Sequence, residues 1–231
     1  MWDTKGIKGG VASDEQGEFW RCTLIEVDTR LRVGRGIGKT ETDASIELFQ
    51  QLKGRGHPDA PPPLVSDGWG GHREALMEVY SEVPDYRGRG RPPSLKQPGE
   101  EWQYVQMVKQ REQGRVVGAE PRVICGQPAQ VYAALELHTA YVERTHLTSR
   151  HMNGRLVRKT LGFSKRVSML RAASVWEDVV YNLARHVKTL RLEVNDGTRR
   201  WLQRSPAMVA GLANHIWSIE ELLSYIPVPN N

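Results

Sequence analysis

The stretch from Ser66 to His72, SDGWGGH, ends an apolar run from Pro61 to Val65 and sets a carboxylate on a glycine-rich turn. PPPLVSD reads as a short strand. HREALMEVYSEV after it reads as a helix with Leu76, Val79 and Val83 on one face. Asp67 is then either a plain surface acid or a metal ligand at a strand end, since hard divalent cations take oxygen ligands. The elements on either side decide between the two.

Upstream, TDASIELFQQLKGRG reads as an amphipathic helix, with Ala44, Leu48 and Leu52 spaced by four. Before it, EFWRCTLIEVDTRL and RVGRGIGKT read as two strands joined by a turn near Asp28, Thr29 and Arg30. A further strand is expected at the start of the chain, before SDEQG. Downstream, Arg87 to Pro98 is a Gly/Pro/basic stretch without periodicity and reads as a surface loop. Trp102 to Cys125 reads as strand, turn, strand. One helix is expected from about Thr139 into RLVRKT, and another from about Ser168 to Leu190. The last thirty residues read as a small helical appendage. The order implies a mixed α/β sheet flanked by helices.

The chain has 231 residues, enough for one domain with appendages or two small ones. It is 39% hydrophobic and 26% charged, as soluble globular proteins are. No run of about 18 apolar residues suits a membrane span, and MWDTKGIKGG lacks the apolar core of a signal peptide. Cys22 and Cys125 stand too far apart for a zinc knuckle, and a reduced, cytoplasmic protein is expected. The net charge is +5. Between Arg144 and Arg204, fourteen Lys/Arg face four Asp/Glu. An excess of that kind on one segment suits a polyanion, although a solvated helical face gives the same pattern.

Three motifs carry chemistry. GRGIGKT, Gly34 to Thr40, approaches a phosphate-binding loop, but that motif needs glycine where Val33 stands, so a strand end is expected. RGRP, with Arg89 and Arg91, has the core of a basic minor-groove peptide; a flexible basic loop reads the same way. In AYVERTHLTSRHMNGRLVRKTLGFSK, helical spacing sets Glu143, His146, Leu147 and Arg150 on one side. An acid with flanking cations suits a metal-assisted phosphate site; a surface salt bridge is the plain alternative.

SDGW, the helix after it and YVERTHLTSRHMNGRLVRKTLGFSK together resemble DDE transposases of the insertion-sequence-one type. GEFWRCTLIEVDTRL and GKT resemble that family's second and third strands, and VWEDVVYNLARHVKTLR its C-terminal helix. The resemblance spans about Trp2 to Arg191. It implies a ribonuclease-H-like catalytic domain over 1–192, with an insertion at about 87–128 between the second and third acids, and a C-terminal helical appendage over 193–231. It implies metal-dependent cleavage and strand transfer of an insertion element's DNA, with two Mg²⁺ or Mn²⁺ ions and no covalent enzyme–DNA intermediate.

By this resemblance Asp67 is the second acid and Glu143 the third, and both are metal ligands. The first acid belongs to an Asp-Glu-x-Trp segment of the first strand. Trp2 matches its Trp, so that acid would stand two positions before Met1. Asp28 is the substitute within the chain. Arg144, His146, Arg150, Arg155, Arg158, Lys159 and Lys165, with Arg89 and Arg91, are expected on DNA phosphates of the element ends and target, in a homo-oligomer. A catalytically dead DNA-binding relic of such a transposase is the alternative, and a ribonuclease-H-like nuclease without transposition a third reading.

Overall fold

A computed structural model describes residues 2–4, 17–86, 88, 91, 94–134, 137–157, 160–195 and 197–225. It begins with an antiparallel sheet of β1 (Trp2–Thr4), β2 (Gly17–Ile25) and β3 (Arg32–Gly38) in the order β1-β2-β3. Helix α1 (Glu41–Gly54) leads to β4 (Leu64–Asp67) and α2 (Gly71–Tyr80). A second sheet joins β4 in parallel to β5 (Tyr104–Glu112), which pairs antiparallel with β6 (Arg115–Cys125). Then come α3 (Pro128–Ala134), α4 (Ala140–Met152) and α5 (Val167–Val179). The fold is mixed α/β, with parallel and antiparallel pairing in one sheet.

Helix α1 starts where Thr40 and Asp43 form a reciprocal capping box, each side chain taking the other's backbone N–H. Its apolar spacing buries Ala44, Leu48, Phe49 and Leu52. Ala44 and Leu48 pack with Cys22 of β2, while Phe49 and Leu52 join Leu64, Leu76, Tyr80, Trp102 and Tyr104. Gly34, Gly36 and Gly38 alternate along β3 because α1 lies directly on that strand. A Cβ on Gly36 would stand 1.7 Å from the Ala44 carbonyl oxygen. GRGIGKT is therefore a strand end whose glycines admit a helix.

The other face of the β2–β3 pair carries Phe19 and Ile37, packed on Leu156, Val167 and Leu170. Register slips by one residue beside Leu24 and Ile25: Leu24 faces Gly34 but Ile25 faces Arg32, so Val33 is extra. The slip turns Arg32 onto the same face as Arg35 and Ile37.

Segment 87–128, expected as an insertion, is not set apart from the sheet: it supplies β5, the parallel partner of β4. Helix α5 stops at Val179, short of the expected Leu190, and widens into a π turn, Val180–Ala184. That turn brings the Asn182 side chain onto Arg32, whose backbone N–H donates to it at 3.0 Å and whose carbonyl accepts from it at 3.0 Å. Helix α3 was not expected. The tail is more than helical: β7 (Leu192–Glu193) and β8 (Trp201–Leu202) pair before α6 (Pro206–Val209) and α7 (Ile219–Ser224). Among the described residues, no helix is long and apolar enough to cross a membrane.

Replacing Gly36 by Ala should cost about 3 kcal/mol, because backbone rather than a flexible side chain blocks the new Cβ. Gly54→Ala, with nothing within 4 Å, should stabilise by roughly 0.5–1 kcal/mol. Urea denaturation of both variants measures the difference.

Candidate functional site

Asp67 is the last residue of β4, and its carboxylate is held at the turn rather than within the sheet. The Trp69 backbone N–H donates to its Oδ1 at 3.3 Å, and His72 Nε2 lies 3.7 Å from the same oxygen. The Trp69 ring meets His72 edge-on at 4.9 Å. Of the turn's glycines, Gly71 is required: a Cβ there would lie 2.0 Å from the Trp69 ring, whereas Gly70 has open space. Neither adopts a positive φ. Buried Gln106 steadies the turn from β5, donating to the Trp69 carbonyl at 2.9 Å while accepting from Arg122 at 2.6 Å.

Glu143 sits in the first turn of α4, where the helix end favours an anion. Lys109 of β5 donates to its Oε1 at 2.7 Å, and the Thr139 hydroxyl donates at 3.3 Å. The Lys109 contact holds the Glu143 carboxyl below the usual carboxylate range. Asp67 and Glu143 front one cavity of about 200 Å³. Its walls are the lengths of β2 from Arg21 to Ile25 and of β4 from Leu64 to Asp67. Helix α1 adds Glu41, Leu48 and Phe49, while α4 adds Val142, Glu143 and His146.

Glu41, which sequence reasoning missed, is the third carboxylate of this cavity. Burial raises its pKa, and the negative charge of Asp67 raises it further. Asp28, the expected substitute acid, is exposed in the β2–β3 turn and does not line the cavity; its N–H donates to Glu26 at 3.0 Å. The turn carries it past the end of β2. Among the described residues, no three His, Cys, Asp or Glu side chains stand close enough to hold one metal ion. The oxygen donors suit Mg²⁺ or Mn²⁺ in kind, but Glu143 is engaged by Lys109 and the set is not assembled.

Helix α4 splits the expected four-residue face. Glu143 and His146 line the cavity, whereas Leu147 is half exposed and Arg150 exposed. Burial, then the charges of Arg21, Arg150 and Arg32, push the His146 imidazole down to about 4. Arg144, Lys165 and Arg91 are exposed, as phosphate contact requires. Arg155 is half-buried and donates to Ser164 at 3.3 Å. Arg89, Arg158 and Lys159 lie outside the described residues.

What seats α4 over the cavity is a buried charge cluster. Arg21 donates to Glu177 at 2.9 Å and to Asp178 at 3.1 Å. Arg32 donates to the same two at 2.6 and 3.1 Å, and Arg35 to Asp178 at 3.0 Å. Arg32 also reaches α4, donating to the Thr145 carbonyl at 3.3 Å and to Ser149 Oγ at 3.0 Å. The signal for this cluster was the acid pair Glu177-Asp178 inside an otherwise apolar helix run, VWEDVV. Compared with protein-family models, curated proteins and solved structures, the chain matches none.

His146 has a testable consequence. Its folded pKa lies below the unfolded value of about 6.5. On acidification the unfolded chain therefore takes up the proton first. Stability should be full above about pH 6.5 and fall toward about pH 4. His72, whose pKa burial also lowers, acts in the same direction. His146→Gln should flatten the slope of Tm against pH in that window; an unchanged slope would show that His146 is already solvated.

Proposed function

We propose that the chain is a DNA strand-cleaving and strand-joining enzyme of the DDE transposase type, built on a ribonuclease-H-like sheet and dependent on Mg²⁺ or Mn²⁺. The observation that carries this reading is the meeting of Asp67, at the end of β4, with Glu143, at the start of α4, on one cavity. An antiparallel triple of strands, then a helix, then a strand ending in an acid and paired in parallel is compatible with that sheet.

In this reading Asp67 and Glu143 hold the cation, with Glu41 the next carboxylate on the cavity wall. When bound, the ion supplies activation of an attacking oxygen and neutralisation of the phosphate. The chain's own residues do the rest. Lys109, which lowers the Glu143 pKa, must leave Glu143 Oε1 for a cation to bind there. The exposed cations Arg144 and Lys165 hold phosphates without reading sequence. DNA ends and target are the substrates, worked on by a homo-oligomer in the cytoplasm at the nucleoid.

One observation favours the relic instead: Lys109 already occupies Glu143. The two readings separate on metal. The enzyme predicts that about 1 mM Mn²⁺ raises Tm by a few degrees, by mass action on the folded state. Asp67→Ala and Glu143→Ala should each abolish that rise. A relic predicts no Mn²⁺ effect and DNA binding that weakens steeply with salt alone.

A further inference from the structure

Strand β6 is the outer strand of its sheet. It pairs with β5 along one edge, and among the described residues its other edge takes no strand. It is 11 residues long, about twice an ordinary strand. From Arg115 to Arg122 every residue but Gly118 is exposed. Val116 and Val117 within that run are 51% and 54% exposed. A free row of backbone N–H and C=O groups is a template for another strand, and long apolar edges are usually shortened, charged or covered.

The charges of β6 say which strand fits. Arg115 and Glu120 are exposed, and neither side chain is paired among the described residues. They flank Val116, Val117, Gly118 and Ala119, so the segment complements itself when reversed. Two copies can pair antiparallel about a twofold axis between Val117 and Gly118. Arg115 then faces the partner's Glu120, and Glu120 the partner's Arg115. Val116 faces the partner's Ala119. Opposite charges and apolar side chains directly across strands stabilise a ladder. Pro121, which cannot donate, falls opposite the partner's Gly114, in the turn beyond the strand. A slip of one residue puts Glu120 opposite the partner's Val116 or the partner's Gly114 and loses both ion pairs. The register that sets Glu120 against the partner's Arg122 centres on Pro121, and Arg122 is already engaged by Gln106.

We infer that β6 is a self-pairing edge: two copies of this chain join their β4-β5-β6 sheets into one continuous sheet through Arg115 to Glu120. A ladder of this length buries less area than a stable interface needs, so the dimer forms in the micromolar range or above. The inference uses no residue of the cavity and is independent of the transposase reading.

Sedimentation velocity of the nuclease-treated full chain, from about 1 to 500 μM, tests it. The chain should pass from monomer to dimer across that range. Arg115→Glu and Glu120→Arg should each weaken the dimer about tenfold or more, because like charges then meet twice across the axis. The double variant restores opposite pairs and should return to within about threefold of the parent. Loss in both single variants with recovery in the double one does not arise from misfolding. Amide exchange at Arg115 to Glu120 should slow as protein concentration rises. A monomer throughout would overturn the inference. So would a dimer indifferent to both reversals, a double variant that stays weak, or exchange that ignores concentration. Neither metal nor DNA enters these readouts, so failure here is distinct from failure of the transposase reading.

Discussion

Five ionised side chains share one buried cluster: Arg21, Arg32 and Arg35 against Glu177 and Asp178. Arg32 is fully enclosed, and its partner Glu177 is 2% exposed. Burying charge is costly, and the attraction between partners repays it only with full hydrogen bonding. The cluster meets this demand by drawing acceptors from several elements. Arg32 uses Glu177 and Asp178 of α5 with the Thr145 carbonyl and Ser149 of α4, while Asn153 donates to Glu177 at 3.3 Å. Burial works to raise the pKa of Glu177, but Arg21 and Arg32 prevail and hold it low. A pure stability device would use hydrocarbon, since apolar replacements of buried ion pairs are often as stable. What ionic contacts add is placement: α4 is fixed in rotation and height against β2 and β3, and Glu143 and His146 with it.

The same sheet solves two packing problems at once. One face is stripped to Gly34, Gly36 and Gly38 so that α1 can lie on the backbone. The other carries Ile37, Arg35 and, through the slip at Val33, Arg32. Without that slip Arg32 would face α1 and not Glu177 and Asp178 of α5. The cavity lies between the two helices so placed. Its chemistry is therefore inherited from the sheet: carboxylates at element ends, a neutral His146, and a thiol at Cys22 that burial pushes up to about 11.

Local order was legible in the residues. The spacing of Ala44, Leu48 and Leu52 marked α1, the apolar run into Asp67 marked β4, and Trp102 to Cys125 read as strand, turn, strand, as β5 and β6 are. Pairing between distant segments was not. Nothing in Tyr104 to Glu112 says that its neighbour is β4. Helix α5 read too long because a π turn keeps helical spacing while altering which side chains face the sheet. Asp28 drew attention as an acid on a strand and lost it to turn geometry, while Glu41 passed unnoticed as an ordinary acidic first-turn residue. Arginines on strands look like solvent-facing residues until the acids that bury them are known.

In the proposed transposase, Asp67 and Glu143, distant in the chain, share one cation. Anomalous X-ray diffraction from crystals grown with Mn²⁺ tests it directly. The account predicts a peak within coordination distance of both carboxylates, with Lys109 moved off Glu143. A peak on neither residue, with the Lys109 pair intact, would contradict it.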